Sequence, residues 1–104
     1  MTYELVVRDR AVAEMQEAFD WYESQVAGLG GKFLAVLTKH KTNIQSHPFQ
    51  HKITYRNYRE IFLQQFPYLL VYFIDEQKKI IVIFSVFHCS RNPKMKFKKA
   101  LPKK

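Results

Sequence analysis

Residues 66 to 88, FPYLLVYFIDEQKKIIVIFSVFH, set two runs of β-branched and aromatic residues on either side of a charged DEQKK link, and they constrain the fold more than any other stretch. Apolar runs of this kind, bounded by a short polar link, read as two strands joined in a hairpin. Neither run alternates polar with apolar residues. Tyr68, Leu70 and Tyr72 share one pleat face and Leu69, Val71 and Phe73 share the other, so both faces are apolar and both strands belong in the middle of a sheet. Each run is also far shorter than the roughly 20 apolar residues of a membrane-spanning helix. The expected core is therefore Leu70, Val71, Tyr72, Val82, Ile83 and Phe84.

A chain of 104 residues, 47% of them hydrophobic, has room for one core. Its charge is unevenly placed. Residues 1 to 90 carry ten Lys and Arg against nine Asp and Glu, whereas residues 91 to 104 carry seven positive charges and no acid. The expectation is one nearly neutral domain over 1–90 and a basic tail over 91–104, suited to an anionic partner. A single cysteine, Cys89, excludes an internal disulfide framework, and no secretory leader pattern opens the chain, so the expected compartment is the cytoplasm.

In chain order, Tyr3 to Val7 reads as a short strand, with Asp9 as N-cap of the helix that follows. Val12, Met15, Phe19, Tyr22 and Val26 recur at helical spacing, with Glu14, Glu17, Asp20 and Glu23 outside that stripe. Trp21 lies off its centre. The three glycines, Gly28, Gly30 and Gly31, mark a turn; no strand precedes them and no Lys-Ser or Lys-Thr pair follows, so they do not form a phosphate loop. A second helix carries Phe33, Val36, Leu37 and Ile44 inward and ends before His47-Pro48. Residues 46 to 57 read as an irregular loop and Tyr58 to Gln65 as a strand. The predicted order, β-α-α-β-β-β, is an α+β two-layer sandwich: an antiparallel sheet covered on one face by a helical hairpin.

Candidate functional residues fall in three places. Lys52, Arg56 and Arg59, interleaved with Tyr55 and Tyr58, could contact phosphates and stack on bases. His88 closes the last strand on the pleat face of Ile80, Val82, Phe84 and Val86, either as a general acid at the sheet rim or bonded to a carbonyl. In the tail, Arg91, Lys94, Lys96, Lys98 and Lys99 are set among Pro93, Met95, Phe97 and Leu101, which predicts a tail that packs in part across the sheet and docks an acidic partner. A metal site from His47, His51, His88 and Cys89 would require the loop to fold back on the last strand; no metal and no cofactor are expected.

The runs AFDWYESQVAGLGGKFL, HPF, YREIFLQQFPYLLVYFIDE and VFHCSRNP, over roughly residues 3 to 95, resemble the toxins of the RelE/ParE superfamily, the toxin halves of bacterial type II toxin-antitoxin pairs. The resemblance implies a small basic protein neutralised by an acidic antitoxin that folds on binding. One branch of the superfamily cleaves messenger RNA on the ribosome and the other poisons DNA gyrase. RNA cleavage needs a base, an acid and cations on the scissile phosphate, converging on one face. The nuclease branch commonly carries Arg after the strand tyrosine and basic residues on the preceding strand, and here those places hold Leu69, Glu60 and Phe62. His88, Arg59 and Arg91 remain as catalytic candidates for the acid and the phosphate clamps, with Glu60 or Tyr58 as the base. The long helical hairpin, FPY and the closing His-x-x-Arg-x-Pro look more like the gyrase-directed branch. The expectation is a non-catalytic gyrase inhibitor; the alternatives are a ribosome-dependent endoribonuclease of RelE or YoeB type, or a non-toxic binding module on the same fold.

Overall fold

The structure, a computed structural model, describes residues 3–63 and 65–89. Strand β1 (Glu4–Val7) leads into helix α1 (Asp9–Gln25), a tight turn and helix α2 (Leu29–Ser46); strands β2 (Ile53–Tyr55), β3 (Tyr58–Phe62), β4 (Tyr68–Asp75) and β5 (Ile80–His88) follow. The sheet order is β1-β5-β4-β3-β2, with the β4–β5 hairpin at its centre as the two apolar runs require. All six expected core residues are buried, with Leu70, Tyr72 and Ile83 fully so.

The two-layer α+β sandwich is present, but one strand pair differs from expectation. β1 runs parallel to β5, with Leu5 opposite Ile81 and Val7 opposite Ile83, whereas the other pairs are antiparallel. The cause is β2, which lies inside the segment read as irregular. From β2 to β5 the strands alternate in direction, so the extra strand adds one reversal and β5 runs with β1. All three residues of β2 are exposed, so it lacks the apolar signature of the central strands.

A bulge in β5 sets which side chains face the helices. Val71 pairs with Ser85 but Tyr72 pairs with Ile83, leaving Phe84 as the extra residue. An inserted residue reverses the alternation beyond it. Ile81, Ile83 and Val86 therefore pack in the core beneath the helices, while Phe84 joins Tyr58 and Val71 in a second cluster on the opposite face. Two of the four carboxylates that the helical pattern placed outside the α1 stripe, Glu14 and Glu23, bond to other elements. Glu14 Oε1 accepts from Ser85 Oγ and from the Val86 N–H, each at 2.8 Å. Glu23 accepts from the N–H groups of Gly28 (2.8 Å) and Gly30 (2.9 Å), capping the start of α2 across the turn.

The helical hairpin is closer than the apolar stripe suggests. The buried line on α1 is Ala11 and Ala18, with Met15 and Tyr22 packed beside it, while Val12 is exposed. Small side chains there let the helix approach the sheet. The N-cap is Arg8 without a side-chain bond, so Asp9 stands one residue later in the first turn, where its charge suits the helix dipole. Of the glycines, Gly28 is the turn residue at φ +91°, whereas Gly30 and Gly31 lie within α2. A Cβ on Gly30 would lie 2.7 Å from a Phe19 ring carbon and 2.8 Å from the Phe19 carbonyl oxygen. Gly30→Ala is therefore expected to destabilise by about 1–3 kcal/mol, since the carbonyl cannot move aside. Gly31, with nothing within 4 Å, is the control: Gly31→Ala should stabilise by up to about 1 kcal/mol through helix propensity. Equal denaturation midpoints for the two variants would show that α1 and α2 are not in this contact.

Candidate functional site

The sheet face turned away from the helices is aromatic. Strand pairing places Tyr58 opposite Phe73 and Glu60 opposite Val71, and the rings of Tyr58, Phe73 and Phe84 meet at centroid distances of 5.4 Å (Tyr58–Phe73) and 5.3 Å (Tyr58–Phe84). Phe87 packs beside them. The Arg8 guanidinium lies over this group, 5.9 Å from the Phe73 centroid and 6.0 Å from that of Phe84. Arg8 was missed as a site residue because it reads as the charge that ends β1. The signal was its parity: it continues the line of Glu4 and Val6, and Val6 pairs with Val82 beside this cluster.

Burial raises the Tyr58 phenol above its ordinary value, although the positive charges of Arg8 and Arg56 pull the other way. A phenol shifted upward holds its proton more firmly, which makes Tyr58 a poorer base than it would be in water.

The basic-aromatic constellation expected from Lys52, Tyr55, Arg56, Tyr58 and Arg59 is divided. Lys52, Tyr55 and Arg56 are exposed, with the Arg56 guanidinium 5.4 Å from the Tyr55 ring centroid. Tyr58 lies in the second cluster. Arg59 pairs with Tyr72, a residue of the core beneath the helices, and so occupies the opposite face from Tyr58. Its Nη1 donates to the carbonyls of His51 and, at 3.5 Å, Phe49, and its guanidinium lies 5.3 Å from the Phe49 ring centroid. Arg59 thus braces the loop after α2, and the Tyr72 hydroxyl does the same by donating to the Pro48 carbonyl at 2.9 Å.

His88 pairs with Tyr68, and the two rings meet edge to face at 5.2 Å. The bulge corrects its expected surroundings: His88 shares the helix-side face with Val86, Ile83 and Ile81, not with Val82 and Phe84. The catalytic candidates are consequently dispersed, with His88 and Arg59 on the helix side and Glu60 on the other. Arg91, Lys94, Lys96, Lys98 and Lys99, and with them the predicted packing of the tail, lie outside the described residues. Among the described residues no group of three His, Cys, Asp or Glu is placed to hold a metal ion, and no helix is long and apolar enough to cross a membrane.

Several solved structures share this architecture. The chain superposes on the chromosomal ParDE toxin-antitoxin system of P. aeruginosa with a TM-score of 0.73 at 16% identity, covering 83% of this chain and 95% of that one. A free E. coli RelE double mutant gives 0.68 at 20% identity, covering 97% and 96%. The M. tuberculosis RelBE2 toxin-antitoxin complex gives 0.62 at 18%, covering 85% and 99%. At these identities the likeness establishes the fold. No curated protein sequence matches. The family model for the ParE toxin of the type II toxin-antitoxin system parDE matches residues 5–93, from within β1 to beyond β5, and the chain therefore belongs to the ParE family of type II toxins within the RelE/ParE superfamily.

Proposed function

We propose that this toxin acts by binding a DNA topoisomerase, gyrase, without cleaving nucleic acid, and that a cognate antitoxin neutralises it. The observation that carries the reading is the dispersal, among the described residues, of the groups an RNA cleavage would need on one face. His88 is packed on Tyr68 and Arg59 is bonded to loop carbonyls, both on the helix side, while Glu60 lies across the sheet. A general acid and a phosphate clamp must lie within hydrogen-bond reach of the same phosphate. The face that carries Tyr58 is instead an aromatic cluster under the exposed Arg8, with Tyr58 and Phe84 buried and Phe73 and Phe87 half-buried, so the cluster offers no second carboxylate beside Glu60. The antitoxin is inferred from the family and from relatives whose structures are toxin-antitoxin complexes.

Inducible expression without antitoxin tests this directly. Growth should stop, plasmid supercoiling should change and messenger RNA should stay intact, and His88→Ala should retain the toxicity. Discrete cuts in the A-site codon on programmed ribosomes, lost on His88→Ala, would overturn the reading in favour of ribosome-dependent cleavage.

A further inference from the structure

The loop between α2 and β2 closes over a group of basic side chains that the proposed function leaves unused. His40, from the last half of α2, has a buried Nε2 atom with no hydrogen-bond partner. His51, from the loop, meets the Tyr72 ring edge to face at 6.5 Å, and its carbonyl accepts from Arg59. The charges that act on the pair are His51 and Lys39 on His40, and Arg59 on His51, and every one of them is cationic. Burial lowers both imidazole pKa values first, and these neighbours lower them further. Phe49 and Ile53, 48% and 52% exposed, border the group on its outer side. Ile53 pairs with Arg59 in β2, the edge strand of the sheet.

We propose that this cluster is a docking site for an extended acidic-apolar peptide, whose carboxylate sits against His51 and Arg59 beside His40 and whose apolar side chains cover Phe49 and Ile53. The inference rests on the antitoxin partnership proposed above and supplies one of its contacts. Among the described residues no acidic side chain is one of the charges that act on this cluster, and a carboxylate is the anion that a peptide carries between apolar residues. Ile53 and Arg59 are cross-strand partners and share a face, so the acid and the apolar residue that meet them stand two positions apart in an extended peptide laid along the edge strand.

A proton linkage follows. In the free chain burial and like charge disfavour the imidazolium, so His40 and His51 stay neutral until the pH is below the ordinary histidine value. A carboxylate reverses this by favouring the charged form. Binding therefore takes up protons, and affinity rises as the pH falls from the bound-state values towards the lowered free-state ones.

The test is calorimetric titration of the full chain with an acetylated peptide in which glutamate and leucine take turns at every second position with serine between them, in two buffers of different ionisation heat. The glutamate peptide should bind about tenfold more tightly at about pH 5.5 than at about pH 7.5, with net proton uptake. Its glutamine counterpart should bind more weakly at both and take up no protons. His51→Asn, checked for an unchanged melting transition, should lose most of the pH dependence. If that variant unfolds, the buffer dependence of the wild-type heat still decides the matter. Binding of the glutamate peptide without proton uptake, or equal binding of the glutamine peptide, would overturn the proposal. So would tighter, proton-linked binding of an oligothymidylate of equal charge, which would assign the cluster to nucleic acid. A failed antitoxin partnership would show separately, as growth arrest that no neighbouring antitoxin gene relieves, and would leave these peptide measurements unchanged.

Discussion

Phe33→Ala is expected to cost about 3–5 kcal/mol of unfolding free energy, the range for truncating a buried aromatic side chain. Phe33 is fully buried and is the central ring of an aromatic group that joins the helices to the sheet. Its centroid lies 5.2 Å from Phe66, 5.2 Å from Tyr68 and 5.5 Å from Tyr22. Those partners come from the β3–β4 connection, β4 and α1, so the cavity would open where three parts of the fold converge. None of them can fill it without leaving the others. Domains of this size are stable by roughly 5–15 kcal/mol in all, so the variant should be partly unfolded at growth temperature and non-toxic for that reason. Urea denaturation gives the measurement. A fall in the midpoint at unchanged slope is the expected form, and a loss under about 1 kcal/mol would mean that the hairpin is held to the sheet by other contacts.

What the sequence shows and what it hides divide along physical lines. The central hairpin is legible because strands buried on both faces must be apolar throughout, and Tyr68–Asp75 and Ile80–His88 carry that signal without help from the rest of the chain. The helical hairpin is legible from spacing, but its buried line is not. Ala11 and Ala18 are chosen for close approach and contribute little to hydrophobic periodicity, so Val12 and Phe19 draw the stripe towards the outer edge. β2 is hidden because an exposed three-residue edge strand has no pattern to read. The site suffers most from the bulge at Phe84. Counting alternate residues from Ile80 sends His88 to the wrong face, and only the pairing with β4 reveals the extra residue. Arg59 is a related case: its place in sequence beside Tyr58 suggests one basic-aromatic surface, whereas strand alternation sends the two to opposite faces.

Glu14→Ala is expected to remove about 2–4 kcal/mol, because it leaves two donors without an acceptor and each unsatisfied buried group costs roughly 1–3 kcal/mol. β1 ends at Val7 while β5 continues to His88, so beyond Ile83 the outer side of β5 has lost its strand neighbour. Glu14 replaces that neighbour. Its Oε1 accepts from the Val86 N–H and the Ser85 hydroxyl, each at 2.8 Å, while Oε2 lies 3.3 Å from Arg10 Nε one turn earlier on α1. The carboxylate thus holds the strand in its bulged register from outside the sheet. Glu14→Gln keeps an acceptor oxygen and should cost about 1 kcal/mol or less, separating the lost hydrogen bonds from the lost charge. The alanine variant should also lose hydrogen-exchange protection at Val86 more than at Ile81, which keeps its place opposite Leu5. Because the bulge decides which face His88 occupies, release of this restraint should weaken the His88–Tyr68 ring contact, visible as a change in the Tyr68 ring resonances. Uniform loss of protection along β5, with those resonances unmoved, would mean that pairing with β4 alone holds the bulge.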